Sequence, residues 1–216
     1  MPQFIFLGFE VVYFTLGVLS MINSLRSWRE NKNRMLIAVS VYIIAILLRS
    51  IIDIFIYSTE FNLDIILGGY LTLGMVLGNI LFIIQVEFVM YLKKRTKLYT
   101  LPFVITFYLI AGRIIVDSAI PFIIWAMIVG YASAYNLIKD GRNKRNGLAI
   151  GMGLFFLFYS LGQTFVIETV FVILRTIGMI ALYLGTRGFY EKYVWPDVKV
   201  EEKILTTWIS KLVIKE

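Results

Sequence analysis

The dominant pattern along the chain is a series of long apolar stretches separated by short polar segments. A helix needs roughly 20 apolar residues to cross about 30 Å of hydrocarbon. Seven stretches fit this length, and the predicted spans are 4–23, 35–57, 65–92, 101–117, 119–138, 147–165 and 166–190. We therefore expect an all-α, polytopic membrane protein, in which residues 1–190 form a seven-transmembrane-helix bundle.

The distribution of basic residues predicts the orientation of this bundle. Most of the 21 Lys and Arg residues lie in four segments, which are 24–34, 93–97, 139–145 and the tail after residue 186. The alternate connections contain none, and these are 58–64, 117–121 and 164–168. Because cytoplasmic loops are enriched in Lys and Arg, the pattern predicts an outside N-terminus and a cytoplasmic C-terminus in the cell membrane.

Composition agrees with a membrane protein and narrows the chemistry. Apolar residues make up 59% of the chain and charged residues 16%, and the net charge is +7. We attribute that charge to topology and to attraction for anionic lipid headgroups, so no nucleic-acid partner is expected. The sequence has no Cys and no His, which excludes thiolate nucleophiles, Cys-ligated metals, the commonest zinc and haem ligand and the usual general base. No metal or cofactor is predicted, and scarce Cys and Gln favour a thermophilic source.

The chain ends in a predicted amphipathic helix that begins at about Asp197. Val200, Ile204, Trp208 and Leu212 recur every four residues, while lysines occupy other positions. Such a helix is typical of a segment that lies on the membrane surface or docks against a partner protein. Residues 191–216 are therefore predicted to form a short cytoplasmic tail.

Ionisable side chains inside spans are costly and are candidates for a functional site. Most of them fall in the outer half of the predicted bundle. With one neighbouring amide, the predicted ligand-binding residues are Glu10, Arg49, Asp53, Arg113, Asp117, Gln163, Glu168 and Arg175.

Spacing predicts how these charges pair. Arg49 and Asp53 are four residues apart, as are Arg113 and Asp117, so each pair shares a helix face. The repetition of the Arg-x-x-x-Asp pattern in two spans suggests that the chain is built from repeated helical hairpins. Arg175 has no carboxylate three or four residues away, so we expect its partner on another helix: Glu10, Asp53, Asp117 or an anionic ligand group. In the alternative interpretation, the pairs only hold helices together.

Two further patterns predict helix packing rather than chemistry. Small residues four apart allow helices to approach closely, and they occur at Gly74/Gly78, Gly147/Gly151 and Ala181/Gly185. The aromatic run over 155–159 is interpreted as packing against lipid and core, not as a cofactor site.

The seven-span layout with internal Arg/Asp pairs resembles that of microbial rhodopsins. The spans contain no Lys that could hold retinal, and they lack the Pro-Gln motifs of SWEET-like sugar transporters. The stretch Leu-Leu-Arg49-Ser-Ile-Ile-Asp53 resembles archaeal seven-helix sensor modules, which implies a sensory role and an output partner in the cytoplasm.

Two function classes follow from these observations. The first is a binding or sensory protein that holds a small polar ligand in the outer-half charged pocket and signals through the basic loops and the tail. The second is a small proton-coupled transporter, in which Asp53, Asp117 or Glu168 carries the proton and Arg113 or Arg175 the substrate. An enzyme is not expected, because no nucleophile, metal or cofactor motif accompanies the carboxylates.

Overall fold

A computed structural model describes residues 3–31, 34–59, 104–105, 107–108, 111, 120–165 and 167–195. All regular structure in these residues is helical, which confirms the predicted all-α fold. The helices are α1 (Gln3–Asn31), α2 (Arg34–Thr59), α3 (Ile120–Asn143), α4 (Gly147–Thr164), α5 (Glu168–Thr186) and α6 (Phe189–Val194).

Three of these helices are long and apolar enough to cross a membrane, namely Phe4–Glu30 of α1, α4 and α5. Their length and composition indicate a membrane protein. The third predicted span, 65–92, and most of the fourth, 101–117, lie outside the described residues. The described part of the chain contains six helices rather than seven spans, and α6 is too short to cross a bilayer.

The helix boundaries differ from the predicted spans at three places. Helix α3 continues to Asn143 instead of ending at 138. Helix α1 continues to Asn31, well past residue 23, and its solvent-exposed last turns carry an Arg26–Glu30 ion pair at 3.4 Å. Helix α5 ends at Thr186 instead of 190, because Gly188 adopts a left-handed backbone with φ of 71° that terminates the helix. The predicted turn between 164 and 168 is confirmed as a break between two separate helices.

Contacts between helices give their directions. Asn23 near the end of α1 hydrogen-bonds Thr186 at the end of α5, so these two helices run parallel. Helix α2 runs antiparallel to α1, and α4 runs antiparallel to both α3 and α5. Consequently α1, α3 and α5 all finish at one end of the bundle, which we call the basic end. Helices α2 and α4 finish at the opposite end.

The core is built around aromatic side chains from α2 and α4. The Tyr42 ring meets Phe155 and Phe156 edge-on, with centroids 6.3 and 5.5 Å apart. Both phenylalanines are fully buried, so packing explains the aromatic run, as predicted. Large apolar residues such as Val41 and Ile128 remain exposed around the outside, as expected for a surface that faces lipid.

Helices α4 and α5 approach most closely where their small-residue motifs meet. A Cβ added to Gly151 would lie 2.8 Å from the Ala181 carbonyl oxygen and 3.0 Å from the Gly185 Cα. A Cβ on Gly185 would lie 2.8 Å from the Gly147 carbonyl oxygen. The motifs beginning at Gly147 and Ala181 therefore pack against each other, which confirms their predicted role in helix packing, whereas Gly74/Gly78 lies outside the described residues.

Candidate functional site

Arg175 on α5 is the centre of a group of buried charges contributed by three helices. Its guanidinium pairs with Glu10 of α1, and its Nη1 lies 3.1 Å from Oδ2 of Asp53 on α2. All three side chains are buried. The prediction that Arg175 finds its partner on another helix is confirmed, and it finds two.

Asp53 is shared between two arginines. Arg49 Nη2 lies 3.1 Å from Asp53 Oδ1, and Arg49 Nε donates to Oδ2 at 3.3 Å, as the spacing of four residues predicts. We call Glu10, Arg49, Asp53 and Arg175 the charge network. It contains two carboxylates and two guanidinium groups, so it is formally neutral.

Neighbouring side chains complete the surroundings of the charge network. The Ser50 hydroxyl donates to Glu10 Oε2 at 3.0 Å. The Arg175 guanidinium carbon lies 5.2 Å from the Tyr13 ring centroid and 5.1 Å from that of Phe171, within cation–π distance. Arg175 Nε has no hydrogen-bond partner among the described residues. The guanidinium is therefore enclosed by two rings and two carboxylates.

A series of polar side chains leads from the charge network to the end of the bundle opposite the basic end. We call this series the polar line, and it consists of Asp53, Tyr57 and Glu168. Glu10 is 0% exposed, whereas the Arg49 side chain is 31% exposed. One turn beyond Asp53, the Tyr57 hydroxyl donates to Glu168 Oε1 at 2.7 Å. Glu168 is exposed at the start of α5, about 10 Å along the helix from Arg175. Polar groups thus extend from the surface to the fully buried Glu10.

The structure brings together some of the residues predicted from sequence. Glu10, Arg49, Asp53 and Arg175 form the charge network, while Glu168 connects to α2 through Tyr57. Gln163 is exposed near the end of α4. Arg113 and Asp117 lie outside the described residues.

Four neighbouring residues were missed by the sequence reasoning, and each follows from helical spacing. Ser50 lies between the paired Arg49 and Asp53 in sequence, but on α2 it points to α1. The others lie one turn from a charged residue: Tyr13 from Glu10, Tyr57 from Asp53, and Phe171 from Arg175. Scanning one turn on either side of each intramembrane charge would have identified them.

No family model matches the chain, and neither a curated protein nor a solved structure matches it. Within the described ranges, no group of three or more carboxylates is placed to hold a metal ion. The charge network and its connection to the surface are therefore the features of the molecule that indicate its function.

Proposed function

We propose that the protein is a seven-helix binding or sensory protein, with its N-terminus outside and its C-terminus in the cytoplasm. The charge network in the outer half of the bundle is its site for a small polar ligand. The observation that carries the proposal is the joining of three helices by buried charges, with a polar line through Tyr57 and Glu168 to the bundle end.

Helix direction supports the seven-helix topology. Helix α2 ends, and α3 begins, at the same end of the bundle, so the connection over 60–119 starts and finishes on one side. The two spans predicted from sequence at 65–92 and 101–117, most of which lie outside the described residues, meet this requirement if they form a single hairpin. The exposed Lys and Arg residues of the described chain all lie at the basic end, which the positive-inside rule assigns to the cytoplasm.

The geometry suggests how ligand binding changes the protein. A ligand with an anionic group competes with Glu10 and Asp53 for the Arg175 guanidinium, which binds carboxylates in bidentate fashion. Arg175 on α5 forms ion pairs with residues on both α1 and α2. When Arg175 binds a ligand instead, both of these contacts between helices are weakened at once. A ligand that binds the loosened arrangement better shifts the population of helix packings, and the tail transmits that shift to a partner.

One observation favours proton-coupled transport as the second candidate. Arg175 is shared by carboxylates from two different helices. Protonation of Asp53 removes its ion pair with Arg175. Arg175 then becomes available to an anionic substrate, and α2 is no longer held to α5 by this pair. This mechanism requires the site to open to each side of the membrane in turn.

Cysteine accessibility distinguishes these functions, because the native chain has no Cys. Ser50→Cys places a thiol of similar size against Glu10, and oriented vesicles are treated with a membrane-impermeant methanethiosulfonate from each side. We expect labelling from outside for a sensory site and from both sides for a transporter. Ser20→Cys is the matched control, since Ser20 is also 0% exposed but lies about 15 Å further along α1 from Glu10.

Ser20→Cys is expected to stay unlabelled from both sides. If Ser50→Cys also remains unlabelled from both sides, the charge network is closed to water and the ligand-site proposal is wrong. The network would then act only to hold α1, α2 and α5 together.

A further inference from the structure

The short helix α6 is attached to the basic end of the bundle by two side-chain contacts. The Tyr190 hydroxyl donates to the Ala181 carbonyl oxygen at 3.2 Å, and burial raises the pKa of this hydroxyl, which keeps it a donor. The Glu191 carboxylate accepts a hydrogen bond from the Gly147 backbone at the start of α4. These contacts hold one side of α6 against both α4 and α5.

The other residues of α6 form an exposed aromatic surface. Phe189 and Tyr193 are 39% and 61% exposed, and their ring centroids are 4.6 Å apart. The Lys192 ammonium lies 5.2 Å from the Tyr193 ring centroid, and Val194 is also exposed. Aromatic rings beside a Lys at the end of a membrane bundle are typical of residues placed at the level of lipid headgroups.

Three exposed basic residues flank the point where α4, α5 and α6 meet. Gly147 contacts both Gly185 and Glu191 at this junction. Arg145 lies two residues before Gly147, Arg187 lies two residues after Gly185, and Lys192 follows Glu191 directly; all three are exposed. Helix α6 contains one carboxylate, that of Glu191, and it is directed at the Gly147 N–H. Among the described residues of α6 and the two flanking turns, the exposed charge is therefore positive.

Arg145 has an unusual backbone for its residue type. Its φ is 50°, in the left-handed region that Gly occupies more easily than a residue with a Cβ. It follows the last turn of α3, where its N–H bonds the Arg142 carbonyl oxygen at 3.3 Å. A Gly would make this turn with less strain, so the backbone conformation does not account for an arginine at this position.

We infer that α6 and its flanking basic residues form a binding site for an anionic phospholipid. The lipid phosphate is held by Arg145, Arg187 and Lys192, and the Phe189 and Tyr193 rings enter the boundary between headgroups and acyl chains. Charge complementarity and the exposed aromatic pair carry the assignment of a bilayer lipid as the occupant. None of the residues of this lipid site belongs to the charge network, so the lipid site does not depend on the proposed function.

Lipid selectivity of the reconstituted full chain tests this site. Trp195 follows α6 directly, so the other tryptophans are replaced by Phe and Trp195 fluorescence is quenched with brominated lipids. Brominated phosphatidylglycerol is compared with brominated phosphatidylcholine. We expect preferential quenching by phosphatidylglycerol, and a loss of about fivefold in relative affinity for each charge removed from Arg145, Arg187 and Lys192 by Gln substitution.

A matched variant removes the same charge from elsewhere at the basic end, by Gln substitution of Arg26, Arg29 and Lys139, which are also exposed. Its preference for phosphatidylglycerol is expected to persist. Equal losses in the two triple variants would mean diffuse surface charge and would overturn the site, as would an unchanged preference in the first variant.

Arg145→Gly separates lipid binding from folding. The substitution relieves the left-handed arginine, so the Tm in neutral detergent is expected to be unchanged or higher. Preference for phosphatidylglycerol is nevertheless expected to fall about fivefold. Full retention of the preference would overturn the assignment of Arg145 to the phosphate.

Discussion

Replacement of Arg175 by Met is expected to lower the free energy of unfolding by about 3–5 kcal/mol, the cost typical of removing one partner from a buried ion pair. The variant keeps a side chain of comparable length but no charge. Asp53 retains Arg49 at 3.1 Å, whereas Glu10 keeps, among the described residues, only the Ser50 hydroxyl. Because Glu10 is 0% exposed, loss of the guanidinium leaves a buried carboxylate without its charged partner.

The measurement is unfolding of the purified protein in mixed micelles with increasing denaturing detergent. Two variants make it specific to the buried charge. Glu10→Gln combined with Arg175→Met removes the uncompensated carboxylate, so it is expected to be more stable than Arg175→Met alone. Arg49→Met is expected to cost less, because the Arg49 side chain is 31% exposed and Asp53 keeps its bond to Arg175.

A lack of rescue by Glu10→Gln would contradict the electrostatic explanation. Equal losses for Arg49→Met and Arg175→Met would contradict the central position assigned to Arg175. In the first case, loss of Arg175 packing against the Tyr13 and Phe171 rings would account for the destabilisation better than loss of charge.

Gly151→Ala is expected to destabilise the bundle by about 1–3 kcal/mol, although Ala is the better helix former. The added methyl group would lie 2.8 Å from the Ala181 carbonyl oxygen and 3.0 Å from the Gly185 Cα. Both atoms belong to the α5 backbone, so a change of rotamer cannot relieve the overlap. The helices must move apart, and the packing on both sides of the contact is lost.

Gly8→Ala on α1 is the matched control, because a Cβ there has nothing within 4 Å. Unfolding in the same mixed micelles is expected to show no loss of stability for this variant, or a small gain from helix propensity. Equal behaviour of the two variants would mean that α4 and α5 do not approach as closely as the structure has them.

Helix α5 links the two sites physically. Arg175 lies in its first half, within the charge network, and Gly185 lies near its end, at the junction with α4 and α6. About 15 Å of continuous helix separates these positions. If Arg175 separates from Glu10 and Asp53 and α5 moves, the contact between α5 and α6 would therefore move as well. In the proposed sensory function, this movement would carry the signal to the basic end.

The sequence by itself predicted those features that depend on residues close together in the chain. Apolar length predicted the ends of α2 and α4, and the spacing of four predicted the Arg49–Asp53 pair. The motifs at Gly147 and Ala181 predicted close packing, since small residues four apart always share one helix face. Such patterns survive in a linear sequence because a helix repeats every 3.6 residues wherever it lies.

Only the tertiary structure decided which charges meet. Arg175 and Asp53 are 122 residues apart, and the sequence left Glu10, Asp53, Asp117 and a ligand equally open as partners. It also placed the end of α5 too late, because a Gly that ends a helix and a Gly that packs inside one look alike until the backbone conformation is known. Distant partners depend on the relative rotation and shift of whole helices, which many side-chain contacts set together, so no local pattern records them.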